Sequence, residues 1–176
     1  MKKFLAMMMA MMMVFSAAAC GGGEEEAAPA EPAMVEISNG YVTMMIPEAY
    51  DEVQQMDGMV GAGGPGGSAV ISDPVEADIA AADVTEDLIL MLVSESYSDV
   101  EMLGFDNPVD IDGTEGVCAV MTGTSNDMDL TLTFLMAFYM LDDVMYEQNI
   151  CIAYETGYDT DMETYLIDVV DSIVIG

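Results

Sequence analysis

After Lys3 the chain carries no Lys, Arg or His, yet 33 Asp and Glu are spread over its 176 residues. Such a chain repels itself in any compact state, so its folding should depend on salt. The imbalance also removes whole classes of function. Nucleic acid is excluded as a partner, because phosphate binding needs clustered Lys and Arg. An anionic membrane surface repels the folded part. Histidine acid–base chemistry, Schiff-base lysines and arginine clamps on phosphate have no residues to perform them.

The two lysines belong to a separate segment. Met1-Lys2-Lys3 precedes an apolar run that ends Ser16-Ala17-Ala18-Ala19-Cys20. A charged start, a short apolar stretch and small residues at the end read as a secretory signal peptide over 1–19, too short for a spanning helix. Ala17-Ala18-Ala19-Cys20 resembles a bacterial lipobox, with Ala17 where an aliphatic residue such as Leu is usual. It implies cleavage after Ala19 and acylation of the Cys20 thiol, with two or three acyl chains as a stable anchor. Residues 21–33, GGGEEEAAPAEPA, lack aromatic and branched aliphatic side chains. They should form a disordered acidic tether over 20–34, with a reach of about 20 Å. The mature chain then keeps all 33 carboxylates and no side-chain cation.

Residues 35–176 make one domain, rich enough in Val, Ile, Leu, Met and Tyr to build a core. Asn39-Gly40 between two apolar segments predicts a hairpin with both turn residues at positive φ. Residues 48–56 read as a turn or short helical piece. Gly61-Ala62-Gly63-Gly64-Pro65-Gly66-Gly67 reads as a mobile loop. It matches G-x-G-x-x-G in form only, since a strand rather than a helix follows it. Asp83, with Glu86 three residues on, predicts a capped helix running to about Tyr97. Three strands should follow over 116–123, 130–139 and 144–154, joined by short links into an antiparallel meander. Leu130, Leu132, Phe134, Met136 and Phe138 share one face of the second. Thr160 and Glu163 form a capping box for a last helix carrying Met162, Leu166, Val169, Val170 and Ile173 at helical spacing. The expected class is α+β: an antiparallel sheet meander with helices packed on it.

This order resembles the PsbP-like (Mog-type) α/β/α sandwich. The carrying pieces are Tyr41-Val42-Thr43-Met44-Met45-Ile46-Pro47-Glu48-Ala49-Tyr50, the mid-chain helix, Ile111-Asp112-Gly113-Thr114-Glu115-Gly116-Val117-Cys118-Ala119, and the close Asp171-Ser172-Ile173-Val174-Ile175. The likeness covers about residues 40–175. Domains of this kind include photosystem-associated, nuclear-transport and bacterial lipoprotein proteins, and they share no catalytic motif to carry onto this chain.

Asp110, Asp112 and Glu115 are the candidate ligands for Ca²⁺, which takes oxygen donors; turn chemistry explains the same residues without a metal. The segment is not an EF-hand. With Gly113 at the sixth position, Pro108 and Ala119 would stand first and twelfth, and neither is a ligand. Cys118 and Cys151 are an exported pair open to disulfide formation. Against this, their strands should lie two spacings apart, roughly 9–10 Å, whereas a disulfide needs Cα atoms within about 7 Å. Paired carboxylates for glycoside hydrolysis are a distant third reading. The expectation is a non-enzymatic binding or scaffolding module on the extracytoplasmic face of the cell membrane. It would be held there by its lipid, with a protein or small molecule as its partner. A Ca²⁺-dependent surface protein is the alternative.

Overall fold

The structure is a computed structural model that describes residues 33–64, 66–76, 79–141, 146–156 and 169–176. The signal peptide with Ala19, Cys20, the tether up to position 32, the turn at 142–143 and the capping box at Thr160 lie outside the described residues. Among the described residues no helix is long and apolar enough to cross a membrane.

Two antiparallel sheets carry the fold. Strands β1 (Met34–Ser38) and β2 (Val42–Pro47) pair as the predicted hairpin, and β11 (Val174–Ile175) closes a three-stranded sheet in the order β1-β2-β11. Of the two turn residues only Gly40 has positive φ, at 90°. Asn39 acts through its side chain instead: its Oδ1 accepts from the Tyr41 and Val42 amides at 3.1 Å each. Its Nδ2 donates to the Ser72 carbonyl at 2.8 Å, fastening the small sheet to the large one.

The large sheet contains β3 (Glu52–Met56), β4 (Met59–Gly64), β5 (Gly67–Ser72), β6 (Val75–Glu76), β7 (Tyr97–Ile111), β8 (Thr114–Ser125), β9 (Thr131–Leu141) and β10 (Tyr146–Glu155). Its order is β3-β4-β5-β10-β9-β8-β7, with β6 beside β10. The predicted three-stranded meander is its β8-β9-β10 portion. Three segments differ from the sequence expectation. Residues 52–56 form a strand, because Asp57-Gly58 turns the chain tightly with Gly58 at φ 80° and pairs Met56 with Met59. The glycine-rich stretch forms β4 and the start of β5, turning at Gly66 with φ 74°. Gly64 must be glycine, since a Cβ there would overlap the Ala49 carbonyl. Lastly, 97–111 is a long strand that begins where the helix was expected to end, at about Tyr97, while the helix itself stops at Val93.

The helix α1 (Glu86–Val93) is capped by Thr85, whose Oγ1 accepts from Leu88 N at 3.3 Å. Asp83 belongs instead to a 3₁₀ turn at Ala81–Asp83, and the extended Val84 separates that turn from the helix. The Ser94 hydroxyl donates to the Leu90 carbonyl at 2.6 Å at the helix end. The chain can then turn so that Tyr97 enters the core against Phe134, ring centroids 5.2 Å apart.

Strand β9 is buried on both faces, which is why its sequence runs almost continuously apolar. Phe134, Met136 and Phe138 meet Val117, Ala119 and Met121 of β8 under α1. Leu135, Ala137 and Tyr139 face the small sheet, where Met44 and Ile46 cover them with Val169 and Ile173. The predicted apolar face of β9 is therefore one of two. Ser172 ties the C-terminal helical turn to β2: its hydroxyl accepts from Met45 N at 3.0 Å and donates to the Val169 carbonyl at 2.6 Å. Apolar burial and hydrogen bonds stand alone here. With Lys3 the last cation in the sequence, side-chain ion pairs have no cationic member in the domain.

Candidate interaction surface

The three carboxylates predicted as a cation site lie at one hairpin tip, where two of them, Asp110 and Asp112, accept hydrogen bonds from backbone amides. Asp110 and Glu115 are paired across β7 and β8, with Asp112-Gly113 as the two-residue turn between them. Asp112 has φ 48° and Gly113 φ 80°, the type I′ geometry that matches strand twist. Asp110 Oδ1 accepts from Gly113 N at 3.1 Å, and Asp112 Oδ2 accepts from Ile175 N at 2.8 Å. Among the described residues no group of three metal-ligating side chains comes together. The Asp112 contact joins the large sheet to the final strand of the small one. Beneath it Tyr139 is fully buried. Burial, with the Asp112 charge added, pushes its phenol up to about 12.

Cys118 is a free, partly buried thiol against the core shared by the two sheets. Burial pushes its pKa up to about 11, helped by the charge of Asp106, its register partner on β7. Cys118 pairs with Ala137, whereas Cys151 pairs with Met136 on the far side of β9. The two cysteines thus sit two strands apart and in neighbouring register rows.

The large sheet presents two edges of opposite character. Edge strand β7 is 15 residues long and is interrupted by three register shifts. It carries exposed Asp99, Glu101, Asp106 and Asp110, together with Pro108. Asn107 anchors it inward, its Nδ2 donating to the Ala81 and Val84 carbonyls at 3.0 and 2.8 Å. Charges, irregular register and proline are the means by which edges avoid pairing with other chains. Edge strand β3 has none of these over its last four residues. Val53-Gln54-Gln55-Met56 is uncharged, pairs regularly with β4, and leaves Val53 55% exposed. Acidic residues stand only at its ends: Asp51 and Glu52 before, Asp57 after, all exposed. Among the described strands β3 has a neighbour on one side alone. The sequence reading missed this edge. The signal that marks it is Asp57-Gly58, the dipeptide of tight hairpins, between Met56 and Met59.

No protein-family model matches the sequence, and a search of curated proteins returns no match. Solved structures do match in shape. The Saccharomyces cerevisiae Ran-binding protein Mog1p superposes with a TM-score of 0.57 at 12% identity, over 82% of this chain and 96% of that one. A point-mutant form of Mog1 superposes with a TM-score of 0.56 at 14% identity, over 83% of this chain and 96% of that one. The antiparallel sheets, the sparse helices and this superposition together give the chain the Mog1/PsbP-like α+β fold.

Proposed function

We propose that the chain is a lipid-anchored, non-enzymatic module that binds a protein partner on the extracytoplasmic face of the cell membrane. The observation that carries the binding half is the β3 edge: a regular strand, uncharged over 53–56, beside no other described strand on its outer side. Residues 102–105 on the other edge, β7, are equally uncharged, but a register shift breaks them, whereas β3 pairs with β4 without one. The shape of a Ran-binding protein adds support by analogy of fold. The anchoring half rests on Ala17-Ala18-Ala19-Cys20 after a charged start and an apolar run.

Each half has its own test. An alkyne analogue of palmitate should label the wild-type protein and move it into the detergent phase, while Cys20→Ser should do neither. Equal labelling of the variant removes the anchor. For binding, a photo-crosslinking residue is placed in living cells at the exposed positions Tyr41, Val53, Met91, Leu103 and Val174. At least one should give a discrete, light-dependent adduct. Silence at all five would sink the binding module.

A further inference from the structure

The geometry points to the partner's chemistry: an extended segment that adds to β3 as a further strand, uncharged at its centre and carrying Lys or Arg at both ends. This rests on the reading above that the protein is a binding module. Strand addition satisfies the outward backbone groups of an open edge with the partner's own, and alternate side chains then set specificity.

Three features of β3 fix the details. Its five-pair register with β4 is unbroken, so it can template a further strand, whereas β7 is interrupted three times. Its uncharged centre accepts polar and β-branched residues without burying a charge. Its acidic ends, Glu52 and Asp57, are five residues apart, or about 17 Å along a strand. Cations of the partner therefore belong about five residues apart.

The same ends argue against a second copy of this chain. Two β3 strands paired antiparallel about Gln54 would bring Glu52 of one beside Met56 and Asp57 of the other, twice over. Like charges placed in that way oppose association, and the whole domain adds to the repulsion. A cationic partner turns both terms favourable and gains a salt-dependent on-rate.

The test uses the intact protein in detergent, labelled with ¹⁵N, and a blocked hexapeptide KVTVTK as probe. Amide shifts should concentrate in residues 52–56, and affinity should exceed that of EVTVTE at least tenfold in low salt. N-methylation of the peptide along the pairing edge should abolish the shifts. Joint Glu52→Gln and Asp57→Asn substitution should weaken binding at least fivefold while the circular dichroism stays unchanged. Equal binding of KGPGPK would mean charge attraction without strand addition, and overturns the inference. So do shifts centred on β7, or β3 shifts that appear with rising protein concentration alone, which would make a second copy the occupant. If crosslinks form in cells from Tyr41 or Val174 while KVTVTK leaves β3 untouched, this inference fails and the binding module stands. If no position crosslinks, the module itself fails.

Discussion

Replacing Asp112 by Ala should uncouple the two sheets at the hairpin tip, at a cost of about 2 kcal/mol. Two contributions make up that figure. The Asp112 carboxylate accepts from Ile175 N at 2.8 Å. This bond is exposed, so its net worth is about 1 kcal/mol rather than the larger value of a buried charged pair. Asp112 also sits at φ 48°, where Ala lacks the local hydrogen bonding that lets Asp tolerate the left-handed region, adding about 1 kcal/mol. For a domain of this size the sum lowers Tm by roughly 5–8 °C. Asp112→Asn separates the contributions: it keeps an acceptor oxygen and tolerates positive φ, so it should cost under about 1 kcal/mol. Asp112→Gly relieves the backbone and loses only the bond, and should fall between the two. Urea unfolding at fixed ionic strength measures all three. An Ala variant within about 0.5 kcal/mol of wild type, or an Asn variant as damaged as Ala, would refute the assignment of Asp112 as the tie between turn and final strand. Removing the negative charge should also let Tyr139 ionise at lower pH in Asp112→Asn, read as an earlier tyrosinate absorbance step.

Four further outcomes follow from the same structure. Cys118 and Tyr139 are acids whose neutral forms the fold favours, with pKa values pushed up to about 11 and about 12. The unfolded chain loses these protons from pH 9 and 10 upward while the folded chain keeps them. Stability should therefore be undiminished below pH 9 and decline through pH 9–12, by at most about 1.4 kcal/mol per pH unit for each group; a flat profile there contradicts both assignments. Gly116→Ala should destabilise by about 1–3 kcal/mol, because its Cβ would lie 2.6 Å from Ile111 Cδ1 and 2.7 Å from the Phe138 carbonyl; an unchanged unfolding midpoint would show that the β7–β8 tip is looser than described. Ca²⁺ and Mg²⁺ at matched ionic strength should raise Tm equally by screening the carboxylates. A Ca²⁺-selective rise abolished by Asp112→Asn would establish a cation site at the β7–β8 turn. Finally, trypsin should leave the processed chain uncut, since Lys2 and Lys3 are its only substrates in the sequence; tryptic fragments from a verified mature chain would refute the segmentation at Cys20.

What the sequence disclosed and what it hid divide along physical lines. The opening hairpin, α1 and the β8-β9-β10 meander rest on hydrophobic period and on Asn-Gly, both local signals, and all are present. The cap of α1 slipped from Asp83 to Thr85 because both residues suit an N-cap, and only the path of Val84 decides between them. Strand β7 escaped because an edge strand must look unlike a strand: its acids, its proline and its broken register are features that discourage pairing on its outer side. The β4–β5 glycines read as a loop because glycine signals turns. The reason for Gly64 is the Ala49 carbonyl, 15 positions earlier in the chain and visible only in three dimensions. At the candidate site the turn reading of Asp110, Asp112 and Glu115 was legible; its form, a type I′ turn at Asp112-Gly113 tied to Ile175, was not. Asp57-Gly58 marks the β3 edge in the same way, but Glu-Val-Gln-Gln-Met lacks the apolar alternation that would have announced a strand.

The two edges of the large sheet differ in register, and one comparison shows which of them meets a partner. Val53 on β3 and Leu103 on β7 are nearly equally exposed, at 55% and 52%. A photo-crosslinking residue at each, in cells expressing the lipid-anchored protein at the same level, reports which edge meets a partner. An adduct from position 53 and none from position 103 is the predicted result. An adduct from position 103 with silence at position 53 would contradict it.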